Sequence, residues 1–329
     1  MKAPRFWARN AGGVMPALLS PLALLYGGAS RLHRSLQWTQ RVDVPVICIG
    51  NVVAGGAGKT PVAIAIARMF LAKGLRPHFL TRGYGGSLKG PVRVVLDVHK
   101  FAEVGDEALI LAETAPTWVA KDRVAGAAAA AKAGADIIIM DDGFQNPSLH
   151  KDFSLLVLDA DYGIGNGRML PAGPLREPLE AALARTDAVV LVGKDDGSRE
   201  FNRLIISKPV YKAMLVPGPK SEQLSGERVV AFAGIGRPEK FFASLKQAGC
   251  TLIQNFSYPD HHVYNADEIM RMVERATAAD AALVTTRKDY VRLPEEARLM
   301  VAVLDVEMVF AAPEGLQAAL LALMKARAA

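Results

Sequence analysis

Cysteine is scarce: the 329 residues hold two, Cys48 and Cys250, each inside an apolar run. Two thiols so far apart make no disulfide framework, and no Cys/His spacing suits zinc. A small secreted scaffold is thereby excluded. Internal repeats and low-complexity tracts are also missing, which removes collagen and coiled coil. Acidic residues are absent before Asp43, whereas that stretch holds six basic ones: Lys2, Arg5, Arg9, Arg31, Arg34 and Arg41. The chain carries 39 Lys+Arg against 33 Asp+Glu, a formal charge of +6, so the basic excess belongs to the N-terminus and the remainder is neutral. Nucleic-acid binding would want basic residues spread over the folded domains, and no nucleic-acid partner is expected.

What is present is ordinary globular composition, 51% hydrophobic and 22% charged, which excludes wholesale disorder. At roughly 150 residues per domain the length suggests about two. Residues 44–50, VPVICIG, read as a strand buried on both faces of a parallel sheet. A helix over 61–73, a strand at 77–82, a short strand at 92–96 and helices at 106–114 and 124–133 follow, then strands at 135–141, 153–160 and 187–193. This alternation predicts an α/β fold: a P-loop NTPase-type doubly wound parallel sheet over 43–207. Residues 208–226, with Pro209, Pro217 and Pro219, read as a linker. Strand and helix patterns resume over 227–329, with 301–310 as one strand-like run, and predict a second, smaller α/β domain.

The strongest chemical signal is Gly50-Asn51-Val52-Val53-Ala54-Gly55-Gly56-Ala57-Gly58-Lys59-Thr60, set between a strand and a helix. Small residues let backbone N–H groups curl around phosphate, Lys59 meets the β/γ-phosphates, and Thr60 can ligate Mg²⁺. The usual pattern has glycine where Val53 stands. This is a nucleoside triphosphate site, with Val53, Ala54, Gly55, Gly56, Ala57, Gly58, Lys59 and Thr60 as its contacts. Downstream, the apolar strand ending in Asp141-Asp142-Gly143-Phe144-Gln145 resembles a Walker B carboxylate beside the metal. Adjacent strand residues point opposite ways, so Asp141 and Asp142 are expected in different roles, one of them open to a turn-capping reading.

Three further stretches each carry two readings. Asp106-Glu107 opens a helix, which suits a cap with its dipole partner or, given a spatial partner, catalysis. Asp260-His261-His262 lies in a polar loop of the second domain, where two histidines beside an aspartate suit a cleft between domains. Arg82, in Arg82-Gly83-Tyr84-Gly85-Gly86, and Arg168 and Arg176, in the segment 167–178 (GRMLPAGPLREP), could fork onto an anionic substrate or sit in tight structural turns.

Residues 10–30 are uncharged and include VMPALLSPLALLY (14–26). A signal peptide, a membrane span, a helix in the membrane interface and a helix on the protein's own core all compete. A span needs about 20 apolar residues, and Pro16, Pro21, Gly12, Gly13, Gly27 and Gly28 break the stretch up. A nucleotide site that needs cytoplasmic ATP argues against export, so segment 1–42 is expected on an anionic membrane surface.

Taken together, GGAGKTP, RGYGG, VGDEA, DDGFQ, LPAGPLREP, DHH and TTRKD (285–289) resemble, in this order and spacing, the tetraacyldisaccharide 4′-kinases, which phosphorylate a lipid A precursor. The resemblance runs through most of the chain. It implies a Gram-negative bacterial enzyme on the cytoplasmic face of the inner membrane, peripheral or monotopic, with no obligate protein partner. Its donor would be MgATP, its acceptor a tetraacylated glucosamine disaccharide 1-phosphate, and its products lipid IVA and ADP. Lys59 and Thr60 carry over as phosphate and Mg²⁺ contacts. Asp106 carries over as the carboxylate that activates the sugar hydroxyl with a DHH histidine, His261 in preference to His262, which is kept as a substrate candidate beside Arg82, Arg168 and Arg176. Glu107 and Asp141 carry over as metal residues and Asp142 as catalytic, while Val53 matches the family's relaxed loop. The alternative is a membrane-associated P-loop ATPase switch that controls partner binding and phosphorylates no lipid.

Overall fold

The protein is described from a computed structural model covering residues 4–9, 13–194, 205 and 207–328, with the side chains of 33–35, 220 and 325–328 outside the description. Lys2, Gly12 and the Arg34 side chain, named above, lie outside the described residues. In chain order the strands are β1 (Val46–Gly50), β2 (Pro77–Thr81), β3 (Val92–Arg93), β4 (Thr117–Val119), β5 (Ile137–Asp141), β6 (Phe153–Asp159), β7 (Ala188–Val192), β8 (Val210–Pro217), β9 (Arg228–Ala233), β10 (Thr251–Ser257), β11 (Ala282–Thr286), β12 (Ala302–Leu304) and β13 (Val306–Phe310). The large sheet runs β13-β8-β7-β6-β1-β5-β2-β4-β3, parallel except at its two outer strands. The small sheet runs β10-β9-β11-β12 and is parallel throughout.

The period of two in the central strands decides which helix covers which face. Val46 and Cys48 of β1 join Ile138 and Met140 of β5 on one side, with Ala127 and Ala130 of the helix Arg123–Lys132. Ile47 and Ile49 join Ile137 and Ile139 on the other, under Val62, Ile66 and Phe70 of the helix Lys59–Leu71. Both faces are dry, so the strands are apolar without alternation, as parallel sheets require. The small sheet repeats the plan with the helices Pro238–Gln247 and Ala266–Ala278.

The expected linker at 208–226 and the boundary at 227 do not hold. β8 is a strand of the large sheet, pairing with β7 from Val210 to Ala213; Pro209 precedes it and Pro217 is its last residue, so neither interrupts it. The run 301–310 is two strands, divided at Asp305: β12 closes the small sheet, and β13 returns to pair with β8. The closing helix Pro313–Ala328 then buries Leu316 and Leu320 in the large core. The physical reason is burial: Met308 and Phe310 complete an apolar face that the small sheet does not offer them.

The N-terminal segment forms the helices Val14–Leu18 and Ser20–Ser35. Gly27 and Gly28 do not break the second helix, contrary to expectation; a Cβ at Gly27 would lie 2.6 Å from Met169 Cε, so glycine there permits close packing. Ala23 is buried, while Leu18, Leu22 and Leu25 are exposed by 66%, 53% and 70%. Among the described residues no helix is long and apolar enough to cross a membrane.

Because Leu316 is fully buried against the large sheet, Leu316→Ala is expected to destabilise that domain by about 2–5 kcal/mol. Urea denaturation followed by a probe in the large sheet checks this, and an unchanged midpoint would return residues 313–328 to the small domain.

Candidate active site between the two domains

β1 ends at the glycine-rich loop, and Gly58, in the left-handed region at φ 84°, starts the helix Lys59–Leu71. Val53 is not a phosphate-facing residue in this loop: its side chain is 4% exposed in the core, and its backbone bridges to Leu175. Ala54 N–H donates to Pro174 O at 2.8 Å and Arg176 N–H to Val52 O at 2.7 Å, so the LPAGPLREP segment braces the entry to the loop. Asn51 Nδ2 donates to Val53 O at 2.7 Å, and Lys59 Nζ lies 3.4 Å from Asn51 Oδ1 and 3.6 Å from Asp142 Oδ1.

Asp141 is the last residue of β5 and is buried, with Thr60 Oγ1 donating to its Oδ2 at 2.8 Å. Its Oδ1 is buried without a partner, and burial pushes its pKa up to about 6 in spite of Lys59. Asp142 leaves the strand at φ 52°, so the expected strand alternation ends there; its carboxylate meets Arg176 Nη1 at 3.1 Å. The two aspartates thus have different partners on the same loop. An orphaned anionic oxygen beside a hydroxyl is a donor set that suits Mg²⁺.

The second cluster faces this loop from across the domain interface. Asp106 is the first residue of the helix Asp106–Ala112, behind Gly105 at φ 86°. A Cβ on Gly105 would stand 2.5 Å from Tyr84 O, so the VGDEA turn and the RGYGG loop are packed backbone against backbone. The capping reading does not hold: Gly105 is the N-cap and Asp106 the first helical residue, whose Oδ1 accepts the adjacent Glu107 N–H at 2.9 Å. Asp106 Oδ2 accepts from His261 Nδ1 at 3.0 Å and from Arg292 Nε at 2.8 Å and Nη2. Burial opposes its charge, but His261, the Glu107 side chain, Lys288 and Arg292 together hold it well below the usual carboxylate range.

Glu107 Oε1 takes Lys288 Nζ at 2.8 Å, while its Oε2 is buried and unpartnered. Burial and Asp106 push Glu107 up to about 7 against the pull of Lys288. Lys288 also lies 3.4 Å from His261 Nε2 and 3.8 Å from Asp260 Oδ1. Asp106, Glu107 and His261 offer ligand atoms within 4.8 Å of one another, a second place where a cation could be held. Tyr84 stands with its ring centroid 5.2 Å from that of His261.

A cleft of about 1890 Å³ joins the two clusters, lined among others by Lys59, Asp141, Asp142, Glu107 and His261. Arg82 and Arg176 line it too, as does Tyr26 of the N-terminal helix. Arg168 and His262 do not. Arg168 Nη1 donates to Ser20 Oγ at 2.8 Å, and His262 turns away to Glu268 at 3.1 Å, stacked on Tyr258. Glu107, grouped with Thr60 and Asp141 from the sequence, sits instead in the cluster of Asp106 and Lys288. Sequence reasoning missed Lys288, Arg292 and Arg123; the first belongs to TTRKD, whose recurrence in the resemblance was its signal. Arg123 lines the cleft, and burial together with Arg82 lowers it to about 10.

Geometry of this kind defines a P-loop phosphotransferase whose acceptor-side groups come from outside the loop. Residues 15–325 match the family described as LpxK, tetraacyldisaccharide-1-P 4′-kinase, and the chain belongs to that family. The tetraacyldisaccharide 4′-kinase of Paramagnetospirillum magneticum is 54% identical over 314 residues, covering 95% of this chain and 96% of its own. That of Rhodospirillum centenum is 49% identical over 332 residues, covering 99% and 98%. A solved structure of LpxK from Aquifex aeolicus, an "apo" form in complex with ATP, is similar with a TM-score of 0.75 at 27% identity, covering 94% of this chain and 99% of that one. The expected α/β fold, family and kinase activity therefore hold.

The Asp141 environment makes a stability prediction. The fold raises this acid from 3.8 to about 6, so its contribution is fully present below 3.8 and is lost as pH rises through 6. Asp141→Asn is accordingly expected to stabilise the protein at pH 7 without added Mg²⁺ or nucleotide, by at most about 3 kcal/mol, while lowering turnover. Thermal unfolding at pH 4 and pH 7 checks it: the gain should vanish at the lower pH.

Proposed function

We propose that this chain transfers the γ-phosphate of ATP to the 4′-hydroxyl of a tetraacylated glucosamine disaccharide 1-phosphate, forming lipid IVA and ADP at the cytoplasmic face of the bacterial inner membrane. The observation that carries the reading is the single cleft running from Lys59 and Thr60 to His261, with Tyr26 of an apolar helix on its wall. A phosphate donor and a hydroxyl acceptor need opposite ends of one enclosed space, and this cleft has both. Lys59 and the loop N–H groups of residues 55–60 hold the β/γ-phosphates, and Arg176 and Arg82 supply further positive charge. Asp106 orients His261, and the pair gives the hydroxyl proton somewhere to go. Thr60 and the unpartnered Asp141 Oδ1 would hold Mg²⁺. Bound there, the ion would neutralise charge on the phosphates. Asp142, between Lys59 and Arg176, keeps those two cations aimed at the loop.

The N-terminal helix supports a lipid-facing role. Leu22 and Leu25 are exposed on the helix Ser20–Ser35, as is Leu18 at the end of the helix before it, Arg31 follows in its later turns, and the preceding segment carries Arg5 and Arg9. An apolar face with flanking arginines binds an anionic interface, each arginine contributing about 1 kcal/mol.

Incubation with MgATP and the lipid disaccharide, with product phosphate traced, tests the function directly. Lys59→Ala is expected to remove transfer by a factor on the order of 100 or more with the fold intact. Hydrolysis without transfer to lipid would instead favour an ATPase switch. Replacing Leu22 and Leu25 with glutamate should release the protein from anionic vesicles and raise KM for the lipid while KM for ATP stays within about threefold. Vesicle co-sedimentation and steady-state kinetics read the two effects, and unaltered sedimentation would sink the membrane role.

A further inference from the structure

Arg292 lies outside every motif singled out in the sequence, and at 2% exposure it does not line the cleft. Its guanidinium nonetheless joins the reacting pair to the scaffold of both domains. Nε and Nη2 donate to Asp106 Oδ2, which belongs to the large domain. Nη1 donates to Gly234 O at 2.9 Å and to Asp289 Oδ1 at 3.2 Å, both in the small domain. The same Gly234 carbonyl accepts the backbone N–H of His261 at 3.1 Å, and His261 sits in the left-handed region at φ 60°. One side chain therefore fixes the carboxylate that receives His261 Nδ1 and the turn that carries the His261 backbone.

Asp289 is itself fixed. Its Oδ1 accepts Gly234 N–H at 2.9 Å and Tyr264 O–H at 2.8 Å, and its Oδ2 accepts Thr286 Oγ1 at 2.6 Å. Asp106, Asp289 and Gly234 present acceptors on two sides of a planar fork, which a guanidinium meets with three nitrogens. A lysine ammonium, a single point of charge, cannot span them.

We propose that Arg292 is a positioning residue that locks Asp106 to His261 across the domain interface, so that the pair is competent only when the small domain seats this guanidinium against the helix Asp106–Ala112. The inference rests on the reading of Asp106 and His261 as the reacting pair. It places no substrate contact on Arg292.

The test uses the full chain with MgATP and the lipid disaccharide. Arg292→Ala should lower kcat by about 100-fold, the scale of a misplacement near 1 Å, with KM for ATP within about threefold. Methylguanidinium added to that variant should restore kcat in part, whereas methylammonium should not. In a His261→Ala background, Arg292→Ala should cost less than about threefold more, because the two act as a unit. Arg292→Lys keeps the charge and is expected to remain at least about tenfold impaired; it serves as the second variant if the alanine form does not fold. Turnover within about threefold of wild type in either variant overturns the proposal, as does a loss that guanidinium leaves untouched and that adds in full to the His261→Ala loss. If His261→Ala and Asp106→Asn themselves retain wild-type turnover, the underlying reading of the pair fails instead.

Discussion

An ionised carboxylate in a protein interior is tolerated only when partners replace the water it has lost. Asp106, 3% exposed, meets this condition with His261 and Arg292, which lie 155 and 186 residues further along the chain. Neither domain alone can satisfy it. The large domain supplies the carboxylate at the start of a helix, and the small domain supplies both side chains that hydrogen-bond it, from loops at one end of its sheet. Closure of the two domains and ionisation of Asp106 are therefore one requirement seen from two sides. Rim pairs such as Arg287–Glu113, each about a third exposed at 36% and 31%, add only about 0–1 kcal/mol and are screened by salt. Arg237 and Lys240, converging on Asp159 at 2.8 and 2.7 Å, brace the opposite edge.

The neighbouring carboxylates are pushed apart by the same surroundings. Asp106 is held far below its ordinary range, while Glu107, one residue on, is raised to about 7. Paired acids with separated proton affinities are a recurrent arrangement at reacting centres, because one stays charged while the other is free to change state. Here the separation has a visible cause. Burial and Asp106 raise Glu107, whereas at Asp106 burial is outweighed by His261, the Glu107 side chain, Lys288 and Arg292.

Much of the large sheet was legible because a buried parallel strand leaves a dense apolar run, and the phosphate loop because its residue types follow from its chemistry. The runs at 44–50 and 135–141 and the GGAGKT loop are of this kind. What was not legible depended on pairing. Nothing local in 208–226 distinguishes a strand bounded by prolines from a linker, since β8 becomes a strand only through its registers with β7 and β13. The division at Asp305 is invisible for the same reason: both halves of 301–310 are apolar, and only the sheets they join differ. Arg292 was unreadable because an arginine two residues past the short helix Arg287–Tyr290 has no period or spacing of its own. Its meaning comes from a helix 186 positions earlier. By contrast the DHH loop offered two histidines, and the backbone at His261 and the Tyr258 stack on His262 separate them in a way that residue identity could not.

One stretch of chain ties the site to the N-terminal helix. At its start, Asn166 Nδ2 donates to Phe6 O at 2.8 Å, Arg168 reaches Ser20, and Met169 fills the groove at Gly27. Pro171 O accepts Trp7 Nε1 at 3.1 Å. By Pro174 and Arg176 the same stretch is hydrogen-bonded to the backbone entering the phosphate loop, and Glu177, buried, anchors it through Arg185 at 2.8 Å and Gln145 at 3.3 Å. Rigidity follows from the prolines, whose fixed φ removes freedom the segment would otherwise have to lose on folding. The apolar helix and the glycine loop are thus joined through a few stiff residues rather than a flexible tether. A surface that binds lipid and a loop that binds phosphate can share one cleft only if their separation is fixed, and this segment is what fixes it.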